Sequence, residues 1–163
     1  MTNPGLTDWI GAFRELHEKA RRGGLLGSER TTYLGWRDDL GRMMLAAQRL
    51  SLRPGMTPRR MVRVARALQL DLELDGQKLR SFTIDFSTGG FSTMLPRAPS
   101  IGTDMTAALR LPAEAPVICR ARVTDVRSTG DHHRVSVRFV DLSSDDRERL
   151  ELFVFDAVLA QLR

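Results

Sequence analysis

The sequence predicts a mainly β protein: a small closed antiparallel β-barrel of six strands, preceded by a helical αα-hairpin and followed by one helix. Three observations carry this expectation. Apolar residues recur at helical spacing up to about Leu50, alternate with polar ones from Ala67, and return to helical spacing after Ser143. The alternating stretch is cut into short runs by turn residues such as Asp75-Gly76 and Gly89-Gly90. The chain has 163 residues, enough to bury a core in one ordinary domain with an appendage.

Each element has its own local reason. Thr7 can cap a first helix whose stripe is Trp9, Ile10, Phe13, Leu16 and Ala20, ended by Gly23 and Gly24. Ser28 can cap a second, with Tyr33, Leu34, Trp36, Leu40, Met43, Met44 and Ala47 at helical spacing. Pro54, Gly55 and Pro58 end it. The two form a hairpin with too little apolar surface to stand alone, so it must pack on the following domain or on another copy of the chain. Leu68, Leu70, Leu72 and Leu74 mark the first strand, and Asp75-Gly76 a tight hairpin. Phe82, Ile84 and Phe86 mark the second strand on one face; Phe91 to Leu95 forms the third. Met105, Ala107, Leu109 and Leu111 give the fourth, and Val117, Cys119, Ala121 and Val123 the fifth. A polar loop from Ser128 to His133 leads to the sixth, marked by Val135, Val137 and Phe139. Closing six short strands removes exposed sheet edges. Ser143 or Ser144 can cap the last helix, with Asp145 and Asp146 where the helix dipole favours negative charge. Leu150, Phe153, Val154, Ala157, Val158 and Leu162 form its apolar face, with Phe155 and Leu159 partly outside it. So apolar a helix is expected to plug or cover an open end of the barrel.

The organisation expected is a helical extension over 1–52, an arginine-bearing linker over 53–66, and the barrel with its helix over 67–163. No apolar run reaches the roughly 18 residues needed to span a bilayer. The N-terminus lacks a basic stretch followed by an apolar one, so no secretory signal is expected. Cys119 is the single cysteine, which excludes an internal disulfide and a cysteine-cluster metal site. A reducing cytoplasm is the expected location. The 25 basic residues outnumber 20 acidic ones, and all but Lys19 and Lys78 are arginine, the side chain that grips phosphate and guanine edges in a planar fork.

Two short patterns stand out where the chemistry could lie. The first is Arg59-Arg60-Met61-Val62-Arg63, an Arg-x-x-x-Arg ahead of strand one. The second is Asp85-Phe86-Ser87-Thr88-Gly89-Gly90, an Asp-x-Ser-x-x-Gly at the end of strand two. Singly, each has an ordinary reading. Arginines four apart are often a solvated face, and Asp, Ser and Gly make good turns whatever they bind. Together, in this order around one strand and hairpin, they favour binding. With the barrel, the strand Arg134 to Phe139 and the final helix, they resemble the PilZ domain, a bacterial receptor for cyclic di-GMP, over about Thr57 to Asp156.

The resemblance implies a six-stranded PilZ-like β-barrel and a non-enzymatic sensor with no metal or cofactor. Arg59 and Arg63 would grip the messenger, and Asp85, Ser87 and Gly90 would form its platform, with Arg60 as a possible extra contact. The chemistry suits a ligand with two phosphates and two guanines. Arginine donates at once to guanine O6 and N7, and pairs in the same fork with phosphate. Asp85 can accept from guanine N1–H and N2–H, Ser87 can donate or accept, and Gly90 permits close backbone approach. The sequence departs from the family pattern at Ser136, where a glycine is common, and at Arg66-Ala67, where a proline-containing stretch often follows. Cyclic di-GMP is then expected to order Thr57 to Arg66 and reposition the hairpin, feeding control of bacterial motility, polarity or surface behaviour. The hairpin, which looks like that of some myxobacterial PilZ proteins, would be the output surface for a protein partner or a second copy. The alternative is a PilZ-like adaptor that binds no messenger and works through protein contacts. A nucleic-acid-binding barrel is suggested only by net charge, and the strands lack a row of aromatics for base stacking. His132 and His133 read as loop residues without a third ligand, His17 as exposed, and Cys119 as an inert core thiol.

Overall fold

Alternation from Gln69 onward closes into a six-stranded antiparallel barrel. The computed structural model describes residues 4–50 and 61–162. The strands are β1 (Gln69–Leu74), β2 (Gln77–Phe86), β3 (Gly90–Leu95), β4 (Asp104–Arg110), β5 (Val117–Thr129) and β6 (His132–Asp141). Their order around the barrel is β1-β2-β3-β6-β5-β4, with β1 pairing β4 to close it. Asp75 and Gly76 both take positive φ, 51° and 75°, as a two-residue hairpin turn between twisted strands requires. Leu70, Leu72, Ala107, Leu109, Ala121 and Val135 face inward and are buried. Cys119 shares that inward register, and burial pushes its thiol up to about 12, so at neutral pH it stays protonated and unreactive.

The second strand departs from simple alternation. The sequence places Phe82, Ile84 and Phe86 on one face, but Phe82 is 60% exposed while Phe86 is fully buried. The register with β3 shifts between Thr83 and Asp85. The bulge brings Phe86 rather than Asp85 inward, and ahead of it, in step with Leu79 and Ser81, lies the inward-facing Thr83. Its hydroxyl accepts from the Leu68 N–H at 2.7 Å and donates to the Arg66 carbonyl, so the buried oxygen is satisfied. The expected loop from Ser128 to His133 is also shorter. β5 and β6 extend through it, leaving Gly130 and Asp131 as the turn, with Gly130 at φ 65°.

Helix α1 (Pro4–Arg21) and helix α2 (Gly27–Leu50) form the expected hairpin, and helix α3 (Ser144–Gln161) follows the barrel. Ser143 caps α3, accepting from the Asp146 N–H at 3.1 Å. Phe155 and Leu159, expected partly outside its apolar face, are buried. The chain divides into two compact units, one of Met1–Val62 with Phe155–Arg163 and one of Arg63–Val154. Within the barrel unit, the Phe153 ring lies 5.7 Å from the Phe86 ring, and the Arg66 guanidinium sits 5.2 Å from the Phe153 ring centroid. Within the helical unit, the last turns of α3 meet the hairpin: Arg14 donates to the Leu162 carbonyl at 2.9 Å and Arg21 pairs with Asp156 at 3.2 Å.

The helical core is aromatic. Phe13 stacks on Tyr33 at 5.5 Å and on Trp9 at 5.8 Å. His17, expected to be exposed, is 1% exposed instead, with Nδ1 2.8 Å from the Tyr33 hydroxyl. Burial lowers its pKa; the nearby Asp156 carboxylate, 3.6 Å from Nε2, pulls the other way and does not overcome it.

Candidate ligand-binding site

The β2–β3 hairpin carries the second motif. Asp85 stands opposite Ser92 in the ladder, and Phe86 opposite Phe91. The Ser87 N–H donates to the Gly90 carbonyl at 2.8 Å, and the Gly89 N–H donates to Ser87 Oγ at 3.1 Å. Ser87 therefore shapes the turn by accepting from the backbone, and its own hydroxyl proton stays available. Gly90 pairs with Arg138 of β6. A Cβ there would fall 2.0 Å from the Val137 carbonyl oxygen and 2.9 Å from the Arg138 Cα. The glycine is required for β3 to approach β6 closely, whatever is bound outside.

Asp85 is already engaged at both oxygens. Ser92 donates to Oδ1 at 2.8 Å and Arg134 Nη2 donates to Oδ2 at 3.0 Å. Each carboxylate oxygen keeps a second lone pair, so the group can still accept from a ligand. Ser92 is fully buried, whereas Arg134 keeps 40% of its side-chain surface exposed. Neither residue was singled out from the sequence. Both are cross-strand neighbours brought in by the β2–β3–β6 register, and Arg134 is 49 residues from Asp85.

Arg63 reaches the same hairpin through its backbone. Val64 forms an antiparallel bridge with Phe86, with reciprocal N–H to carbonyl bonds of 3.0 Å. One step along that register sets Arg63 beside Ser87. Val64 and Phe86 both point inward and are buried, so Arg63 is exposed on the opposite, outer side that also carries Asp85. Arg59 and Arg60 lie outside the described residues. The structure thus brings Asp85, Ser87, Gly90 and the Arg63 backbone together at one hairpin.

The outer face of the barrel shows where many of the arginines go. Arg110 pairs with Asp71 at 2.7 Å, Arg120 with Asp141 at 3.1 Å, Arg122 with Asp104 at 2.7 Å and Arg127 with Asp125 at 3.0 Å. Side-chain donation from Arg122 holds the Asp104 carboxyl below the usual carboxylate range, and the Arg120 backbone N–H does the same for Asp141. His132 and His133 open β6, where His133 Nδ1 lies 3.0 Å from the Ser128 hydroxyl.

Comparison with known proteins agrees with this architecture. The family model of the PilZ domain matches residues 57–156. Among solved structures, the chain is similar to the Bacillus subtilis inhibitor of motility MotI/DgrA, at 17% identity and a TM-score of 0.60, over 66% of this chain and 55% of that one. It thus spans about half the length of that protein. It is similar to the PilZ domain with c-di-GMP of YcgR from Escherichia coli, at 18% identity and a TM-score of 0.54, over 64% of this chain and 95% of that one. A third likeness is to the K. pneumonia MrkH–c-di-GMP complex, at 21% identity and a TM-score of 0.57, over 66% and 56% of the two chains. At these identities the likeness is one of fold. No curated protein matches the chain.

Proposed function

The chain belongs to the PilZ domain family, and from that premise we propose that it is a non-enzymatic cyclic di-GMP receptor that passes messenger occupancy to protein contacts made by its N-terminal hairpin. The observation that carries this reading is the grouping of Asp85, Ser87 and Gly90 on one hairpin, with Arg63 set beside Ser87 by the Val64–Phe86 bridge. Arg63, with Arg59 ahead of it, would supply guanidinium forks for phosphate and guanine O6 and N7. Asp85 would accept from the guanine N1–H and N2–H edge, and the free hydroxyl proton of Ser87 would add a donor. The solved structures of YcgR and MrkH with c-di-GMP support the ligand class; MotI, an inhibitor of motility, supports a role in motility, polarity or surface behaviour. No described helix is long and apolar enough to cross a membrane.

Calorimetric titration of the full chain with cyclic di-GMP tests the reading. Binding is expected, and Arg63→Ala should remove a charge-assisted contact of about 1.5–3 kcal/mol, roughly a tenfold to hundredfold loss. An absence of heat at high protein concentration would remove the receptor claim.

A second reading has a specific observation in its favour. Both Asp85 oxygens and the acceptor side of Ser87 already have partners within the protein. A messenger-free adaptor would keep the motif as a structural hairpin and act through protein contacts alone. A protein partner held equally by the unaltered chain and by Arg63→Ala would favour it.

A further inference from the structure

One outer-face arginine stands out by its neighbours. The row running across β3, β6, β5 and β4 reads Gly90, Arg138, Arg122, Asp104. Arg138 therefore has a residue without a side chain on one flank and a second arginine directly opposite on the other. Like charges facing each other across a ladder are destabilising. Asp104 does not relieve this pair evenly. Its two oxygens are taken by Arg122, at 2.7 and 3.3 Å, and it acts on Arg138 only at longer range. Arg120, Arg122, Arg127 and Arg134 each have a carboxylate within 4.0 Å, whereas among the described residues Arg138 has none.

Its position is fixed against the candidate site. Arg138 is the ladder partner of Gly90, and the next residue, Phe139, donates its N–H to the Gly89 carbonyl at 2.9 Å. The turn that carries Ser87 is thus tied to β6 on the C-terminal side of Arg138. The exposed guanidinium is a surplus positive charge at the rim of the hairpin, with its hydrogen-bond donors unspent on any carboxylate among the described residues.

We propose that Arg138 is a further anion-gripping residue of this site, donating to a phosphodiester oxygen of the bound dinucleotide. The proposal rests on the receptor reading above. An anionic diester there would offset the Arg138–Arg122 repulsion and accept from the Arg138 fork. Since none of the described acids would be left unpaired by its loss, Arg138→Ala should fold as stably as the unaltered chain, or slightly more so.

The test is parallel titration of cyclic di-GMP into the unaltered chain, Arg138→Ala, Arg138→Lys and Arg127→Ala, with thermal unfolding of each apo protein. The expected result is a loss of about tenfold or more for Arg138→Ala, with apo stability retained. Arg138→Lys should fall in between, because lysine keeps the charge but not the fork. Arg127→Ala removes a comparable exposed charge that already has Asp125, and should bind as the unaltered chain does. Equal affinity for Arg138→Ala and the unaltered chain would overturn the inference while leaving the receptor reading intact. A tenfold loss in Arg127→Ala as well would also overturn it, by showing a general charge effect. Failure of the unaltered chain to bind would remove the receptor reading, and this inference with it.

Discussion

The barrel and the helical unit keep their polar groups in different places. In the barrel, arginines and carboxylates pair on the outer face, and the polar side chains inside are small. Thr83 and Thr93 each satisfy their hydroxyl with a main-chain carbonyl: Thr83 with that of Arg66 and Thr93 with that of Phe82. The helical unit instead buries large ionisable groups, His17 at 1% exposed and Arg37 at 7%, the latter 5.3 Å from the Tyr33 ring centroid. The difference follows from geometry. A strand turns successive side chains to opposite faces, so the inside is a narrow, uniform lattice. A helix buries a broad stripe, and long polar side chains at its rim can lie along aromatic surface while reaching a partner.

The sharpest way to break the barrel side of this contrast is to add one carbon atom. Gly90→Ala would set a Cβ 2.0 Å from a main-chain carbonyl of β6, and no flexible side chain is there to yield. We expect a destabilisation at the upper end of overpacking effects, about 3 kcal/mol or more, read by urea unfolding. A mutant as stable as the parent would show that the β3–β6 approach is looser than described. Such a loss would occur with or without ligand, so Gly90→Ala cannot serve as evidence for binding.

The helical unit breaks with pH. The pKa of His17 lies below its ordinary value of about 6.5, chiefly because burial disfavours the imidazolium. Asp156 and Glu18 favour the charged form and Arg21 opposes it, and the balance still lies with the neutral ring. The unfolded chain therefore binds a proton that the folded chain resists. Stability from this residue is full above about pH 6.5 and is lost as pH falls through the folded value. Replacing His17 with leucine should flatten the stability curve across that window. A parent protein whose stability does not fall between pH 7 and 5, relative to His17→Leu, would contradict the burial described for the ring. Tyr33→Phe sharpens the point: it removes the hydroxyl 2.8 Å from Nδ1, a loss of about 1 kcal/mol.

Much of the fold was legible because period and punctuation are local. The change from helical spacing to alternation, the Asp75-Gly76 turn and the Ser143 cap each sit within a few residues and each correspond to an element. Phe82 was misplaced because a bulge is a property of the pairing of two strands, and nothing within β2 alone announces it. His17 was misplaced for a different reason. It follows Trp9 and Phe13 at four-residue steps, so the stripe already contained it, but its chemistry argued for the surface. The candidate site divides in the same manner. Asp85, Ser87 and Gly90 lie within six residues and could be read together. Ser92, Arg134 and Arg138 enter through register across β3 and β6, which becomes visible once the strands are aligned. Arg59 and Arg60 lie outside the described residues.

The smallest expected effect tests whether the outer-face pairs hold the barrel together. Arg127 and Asp125 meet at 3.0 Å, but their side chains are 78% and 48% exposed. At that exposure water and salt screen most of the attraction, and ordering two side chains offsets part of what is left. Arg127→Ala should therefore change stability by no more than about 0.5 kcal/mol, and any change should shrink further in 0.5 M salt. A loss several times larger that survives high salt would mean the outer lattice of ion pairs is a structural element comparable to the buried helical cluster. A negligible loss would instead show that an exposed pair of this kind does not hold the barrel together, and that such an outer-face arginine can be altered without cost to the fold.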